Sequence, residues 1–260
     1  MKLSPEEYTN LTLTPASLQT AVDQVHMNGF ILFEDALPAN RVAELREAFM
    51  STLNEHRARN PSNRGNNRYQ MHMPFRAPFI DPLVIEHPFA LAILDAILGN
   101  TCHCHYFASD TALPGSDYQG VHSDTHLLFP ETSLSLPAYS IVVNIPLVDV
   151  TLDRGPVEIW PGGTHLMPGS MDIQKTAPHM HSELATMPAG SLLIRDMRMW
   201  HRGTPNRSDI ARPHLALIYS RFWFRETGYP PIEIAKDIYD GLSQRARQLF
   251  RFEKLDSSQH

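Results

Sequence analysis

Cysteine is almost absent from this 260-residue chain, which has only Cys102 and Cys104. They are too close in sequence for an ordinary structural disulfide and too few for a zinc framework of their own. On a strand both thiols share one face, and His103 and His105 take the other. A half-buried strand carrying small apolar thiols is the expected reading, and a Cys-His-Cys-His metal site is its competitor. Runs of positive charge are missing too. Lys and Arg total 22 against 28 Asp and Glu, a formal net charge of −6. Nucleic-acid binding needs clustered cations to neutralise phosphate, so it is not expected. No apolar stretch reaches the roughly 18 residues of a membrane span. The opening MKLSPEEYTNLTLTP lacks the basic-then-apolar order of a signal peptide, and a cytoplasmic location follows as the expectation. There is no internal repeat and no low-complexity tract.

What the chain does have is the balance of a folded protein, 42% hydrophobic and 19% charged residues, at a length that suits one domain. Helical spacing over residues 16–28 ends at Gly29, and Phe30 to Phe33 reads as a short strand. A second helix is predicted over about 40–57, with Val42, Leu45, Phe49 and Leu53 on one face. Residues 58–79, rich in Arg, Asn and Pro, read as a long loop, and residues 84–98 as a third helix. From about 101 to 225 short β-rich runs dominate, punctuated by Gly, Pro and Asp. A C-terminal helix is predicted over about 232–252. The expected architecture is a single domain, mainly β with flanking helices: a helical part at about 1–100, a β core at about 101–225, then that last helix.

The segment His122-Ser123-Asp124 carries the first chemical signal. On a strand, residues i and i+2 project to one face about 6.5–7 Å apart, close enough for an imidazole and a carboxylate to converge on one cation. His201, at the end of the run SLLIRDMRMW, is the best third ligand. Two histidines and one carboxylate occupy one face of an octahedral Fe(II) and leave the other positions open. An H-x-D pair alone is weak, because with 14 histidines chance matches are easy. Arg212 strengthens it: two antiparallel strands joined by GTPNRSDIA would place this arginine beside the metal strand, where a guanidinium can grip a carboxylate. His126 extends the motif to H-x-D-x-H, but three ligands on one strand would span about 13 Å, so it reads as pocket wall or core. His165 reads as a turn-stabilising side chain, and His179 and His181 as solvated loop histidines. In the loop NNRYQMHMPFRAPF, Tyr69, Met71, Met73 and Arg76 are candidates to line a pocket for an amphipathic acid, with plain loop packing as the alternative. Trp200 and Phe224 read as pocket wall or core.

Four ordered pieces resemble the phytanoyl-CoA dioxygenase family. NGFILFEDALPANRVAELREAF looks like its entry segment, and QGVHSDTHLLF like its metal strand. RGPVEIWPGGTH is similar to its G-P-L-E-x-x-P-G-S-H turn, and WHRGTPNRSDIARPHLALIY to its distal-histidine hairpin. The resemblance covers about residues 16–225. It implies a double-stranded β-helix (a jelly roll, cupin-like) that uses Fe(II), 2-oxoglutarate and O₂. It assigns iron to His122, Asp124 and His201, and the cosubstrate's distal carboxylate to Arg212; Gln119 resembles a polar cosubstrate contact of some members. One departure is His214, where many relatives carry Ser or Thr. Halogenating relatives replace the carboxylate ligand, so Asp124 favours oxidation. The implied function is a dioxygenase that hydroxylates, or otherwise oxidises a C–H bond of, a small metabolite or natural-product intermediate, releasing succinate and CO₂. A cupin-like isomerase or hydrolase would keep the triad but have no need of Arg212, and a non-catalytic binding protein would tolerate loss of the iron without loss of ligand binding. The expected partner is a small-molecule substrate, and the expected state a monomer or homodimer.

Overall fold

The N-terminal third is built by local signals. Ser4 and Glu7 form a reciprocal capping box for α1 (Pro5–Asn10). Thr14 caps α2 (Pro15–Asn28), which stops where Gly29 takes a positive φ of 83°. Then follow β1 (Phe30–Phe33), α3 (Ala39–Arg59) and β2 (Arg68–His72). The computed structural model describes residues 1–132 and 134–256. Two elements here correct the sequence reading. The expected long loop over 58–79 contains β2, an edge strand paired antiparallel with β3 (His103–Ala112). The expected helix over 84–98 is two helices, α4 (Pro82–Ile85) and α5 (Pro88–Leu98). Pro88 excludes the helical conformation at His87, and the freed His87 Nδ1 accepts from the Phe89 N–H at 3.2 Å.

The core continues through β4 (Ser140–Pro146), β5 (Val157–Ile159), α6 (Ile173–Thr176), β6 (Glu183–Ala185), β7 (Leu192–Asp196), β8 (His201–Gly203) and β9 (Arg212–Ser220). The predicted C-terminal helix over 232–252 is replaced by β10 (Glu233–Ala235), α7 (Lys236–Gly241), α8 (Gln244–Leu249) and β11 (Lys254–Asp256). Ser243 restarts the helix by accepting from the Ala246 N–H at 2.9 Å, and β10 pairs with β11 in parallel.

The chain forms a jelly roll of two antiparallel sheets with flanking helices. The larger has the order β1-β7-β4-β9-β3-β2, the smaller β6-β5-β8. Every residue of β4, β7 and β9 is buried, so the sheet is covered on both faces. One face meets the helices: Val143, Ile194, Leu215, Leu217 and Tyr219 pack with Phe49, Phe89 and Ile93. The alternate residues face the smaller sheet. Their rows are Arg195-Val142-Ile218-Tyr106, then Asn144-Ala216-Ala108, then His214-Asp110-Gln70, then Arg212-Ala112-Arg68. A register shift between Cys104 and Tyr106 switches the faces of β3. Cys102 and Cys104 therefore sit in the helix-side core as free thiols, while the rings of His103 and His105 lie 5.3 Å apart. No helix among the described residues is long and apolar enough to cross a membrane.

Candidate metal centre

The pair His122 and Asp124 does not lie on a strand. The segment from Gln119 to Asp124 runs beside residues 197–203 and touches them at separated points. Gln119 N–H donates to Gly203 O at 3.0 Å, His122 and His201 exchange both backbone hydrogen bonds at 2.9 Å, and Asp124 N–H donates to Met197 O at 2.8 Å. Residues between the last two points do not match in number, because 196–199 form a tight turn. The Arg198 guanidinium and backbone N–H lock that turn onto the Asp196 carboxylate at 2.8–2.9 Å. A regular ladder is thus impossible, and the chain bends between His122 and Asp124. The ligand candidates come from two segments joined at separated backbone contacts, not from one extended face.

This arrangement also favours one tautomer of each histidine. His122 Nδ1 lies 2.8 Å from Gly120 O, and His201 Nδ1 lies 3.0 Å from Met199 O. A carbonyl oxygen only accepts, so the shorter contact of each Nδ1 favours the proton there and leaves the lone pair on Nε2. Both lone pairs face one oxygen: Asp124 Oδ1 is 3.7 Å from His122 Nε2 and 3.4 Å from His201 Nε2. The three ligand atoms lie within 4.8 Å of one another. Burial and the neighbouring His201 ring lower the His122 pKa, which favours the neutral, metal-binding form. Burial opposes ionisation of Asp124, but His201 and Arg195 together hold its carboxyl well below the usual carboxylate range. A neutral-histidine pair with one carboxylate is a donor set that fits Fe(II). Among the described residues no other cluster of potential metal-ligand side chains is this tight, and Cys102 and Cys104 are not in it.

The triad opens onto a cavity of about 230 Å³ between the sheets, whose walls include Gln119, Asp124, Arg195, His201 and His214. Arg212 lies one row of the large sheet beyond His214. Strands β8 and β9 are not paired with each other as the sequence suggested. The chain crosses from the small sheet to the large one, and buried Asn206 pins the crossover by donating to Ala112 O and Ile210 O at 2.9 and 2.8 Å. Arg212 is fully buried, 3.5 Å from Asp110 Oδ2, and its Nε and Nη2 have no partner. Arg68 donates to the backbone oxygens of Asp117 and Thr204 and leaves Nη1 without one. Gly203 makes room for this cluster, since a Cβ there would lie 2.5 Å from Arg68 Nη1 and 2.6 Å from Gln119 Oε1. Gln119 Oε1 accepts from the Gly203 N–H at 2.9 Å, so its amide NH₂ remains a donor. Buried N–H groups without partners are costly, and a carboxylate is the ligand that satisfies guanidinium donors best. His214 is buried, and burial, followed by Arg212, Arg195 and Arg68, holds its pKa far down; it stands there neutral.

The proposed substrate residues lie elsewhere. Met71 and Met73 are in the helix-side core, Tyr69 meets His56 of α3 edge-on at 6.3 Å, and Arg76 borders a separate surface groove. Strand β2 alternates, so it is Gln70 that reaches the cavity, together with Arg64, Tyr106 and Tyr229. His126 is exposed and borders a neighbouring cavity, shared with Trp200 and His165. His165 Nε2 bonds to His26 O at 3.0 Å, His179 and His181 are exposed, and Phe224 packs on Tyr139. Sequence reasoning missed Arg68 and Arg195. The signal was there for Arg195: one charge inside the apolar run LLIRD needs a buried partner.

The chain is similar to known proteins in sequence and in fold. The family model described as Phytanoyl-CoA dioxygenase (PhyH) matches residues 25–214. A curated relative, "Dioxygenase af480" of Aspergillus fumigatus, is 24% identical over 167 residues, 64% of this chain and 53% of that protein; the chain thus spans about half its length. Among solved structures, the epimerase SnoN in complex with Fe3+, alpha ketoglutarate and nogalamycin RO superposes with a TM-score of 0.64 at 18% identity, over 83% of this chain and 89% of that one. The non-heme alpha ketoglutarate dependent carbocyclase SnoK from nogalamycin biosynthesis gives 0.61 at 20% identity, over 80% and 84%. These two likenesses establish the shared fold.

Proposed function

Because the chain belongs to the phytanoyl-CoA dioxygenase family, whose members use Fe(II), 2-oxoglutarate and O₂, we propose that it is an Fe(II)- and 2-oxoglutarate-dependent dioxygenase. Its reaction oxidises a C–H bond of a small metabolite or natural-product intermediate and releases succinate and CO₂. The natural-product assignment is supported by the nogalamycin enzymes that share its fold. One observation carries the reading: two imidazole lone pairs and a carboxylate oxygen converge within 4.8 Å, next to buried guanidinium N–H groups that have no partner.

In this reading His122 and His201, through Nε2, and Asp124, through Oδ1, would hold the iron. When bound, the iron supplies the redox chemistry that couples oxidative decarboxylation of 2-oxoglutarate to substrate oxidation. The rest falls to the chain. Gly120 O and Met199 O keep the ligand lone pairs aimed by taking the Nδ1 protons. Arg212 takes the distal carboxylate of the cosubstrate, and Gln119 offers an amide NH₂ to it. Neutral His214 and the apolar Val142, Ala216 and Ile218 add no charge of their own to the cavity wall, and Asp110 is the anion that shares Arg212 with the cosubstrate.

Anaerobic titration of the Fe(II)-loaded protein with 2-oxoglutarate tests this directly. The visible metal-to-ligand charge-transfer band of the chelate is expected, with half-saturation roughly tenfold or more weaker in Arg212→Ala, the scale of a lost hydrogen bond to a charged group. Iron binding without the band, at any cosubstrate concentration, would leave a metal enzyme of another kind.

A further inference from the structure

The two oxygens of Asp124 are divided between two tasks. Oδ1 faces both histidine lone pairs. Oδ2 accepts from Arg195 Nη2 at 2.6 Å. The Arg195 side chain is only 7% exposed, and it rises from a strand whose preceding residues are Leu192, Leu193 and Ile194. Its row of the sheet offers Val142, Ile218 and Tyr106, and no anion. Arg195 Nη1 lies 3.3 Å from His201 Nδ1, but that nitrogen already gives its proton to Met199 O, so the contact joins two donors. Asp124 is therefore the only anion with which Arg195 forms an ion pair among the described residues. A desolvated guanidinium with one counter-ion holds it firmly, because release would leave a buried charge alone.

We propose that Arg195 is a positioning residue that keeps Asp124 a one-oxygen ligand. With Oδ2 engaged, the carboxylate cannot swing to present both oxygens to the metal. Three positions of an octahedral ion then stay open, two for a chelating keto acid and one for O₂. The guanidinium also offsets the charge of the carboxylate, so the loaded centre keeps the full charge of the dication to attract a dianionic cosubstrate. The inference rests on the metal reading above and adds to it a role for a residue that touches no iron.

The test uses the full chain with Mn(II) alone, and counts metal-bound water by the broadening of the Mn(II) electron paramagnetic resonance line in ¹⁷O-enriched water. Arg195→Met is expected to bind Mn(II) with one bound water fewer than the parent, because Asp124 closes onto the metal with both oxygens. Arg195→Lys, which retains a cation, is expected to keep the parent count. A packing role alone would not move this number. An unchanged count in Arg195→Met overturns the proposal, as does a parent count already one short of three, which needs no variant. A fall in 2-oxoglutarate affinity with the water count unchanged also overturns it and makes Arg195 an anion anchor instead. If the parent binds no Mn(II), the metal reading itself fails, and the role of Arg195 falls with it.

Discussion

The two faces of the large sheet are made of alternate residues on the same strands, yet they follow opposite rules. Along β9, Leu215, Leu217 and Tyr219 enter the helix-side core, while Arg212, His214, Ala216 and Ile218 look toward the small sheet. The first face is stabilised by burial of apolar area, at about 25 cal/mol per Å². The second buries three arginines and a neutral histidine, and leaves N–H groups of Arg68, Arg195 and Arg212 without partners. Desolvated charge of this kind costs stability. The helix face thus supports what the cavity face spends, and the spending is located where a dianion and a dication would balance it.

The largest expected effect separates the faces outright. Leu217→Ala should lower stability by about 2–5 kcal/mol in urea unfolding, while the folded fraction binds 2-oxoglutarate as before. Arg212→Leu should do the reverse. Cosubstrate affinity falls roughly 10- to 100-fold, by loss of hydrogen bonds between charged groups worth about 1.5–3 kcal/mol, and the unfolding midpoint of the unliganded protein holds or rises. A midpoint that drops as far as in Leu217→Ala would erase the distinction between the faces. Gly203→Ala sharpens it from the other sheet. The added methyl crowds Arg68 Nη1 and Gln119 Oε1, at an overpacking cost of about 1–3 kcal/mol, and cosubstrate titration should weaken more than thermal stability does.

The smallest effect concerns pH. Burial pushes His87 down to about 4, and burial followed by the neighbouring His103 pushes His105 down to about 3. Both are neutral when folded and bind protons near 6.5 when unfolded. Between those values the unfolded chain holds more protons, so stability is fully present above pH 6.5 and is lost as pH falls toward 3–4. His105→Leu removes two ring nitrogens that have no partner. It should flatten the acid limb of the stability–pH curve and leave stability at pH 7 equal or better. An acid limb as steep as the parent's would mean that His105 is not neutral in the fold.

Much of this was legible in the sequence, and what was not has physical reasons. The amphipathic face of α3, the stop at Gly29 and the run of short strands are local signals, and they appear where periodicity places them. The triad could be proposed from sequence because residue types and order survive any local geometry, and the fold brings the three side chains within 4.8 Å of one another. The expected strand under His122 and Asp124 was not, because the turn at 196–199 dictates the register and lies far away in sequence. The faces of β2 were misjudged for a related reason. Tyr69 and Met71 look like better pocket residues than Gln70, and only pairing with β3 decides which set turns inward. Strands β4, β7 and β9 are buried on both sides, so most of their positions are apolar and only a few residues, Asn144, Arg195, Arg212 and His214, mark the cavity face. Proline and serine account for the two helices that broke, and both signals, Pro88 and Ser243, stood in plain view.

The backbone bridge between His122 and His201 has one more consequence. It joins two stretches of chain that are remote in sequence, and an ion held by both rings would be a removable cross-link closing that long covalent ring. Cross-links act largely by shrinking the freedom of the open chain, and more so for larger rings. Loading and stripping the ion would therefore act on the segment between the two histidines as a clasp acts on a strap. Protection of the backbone amides of residues 123–132 against hydrogen exchange would then rise and fall with the metal, well before any substrate arrives.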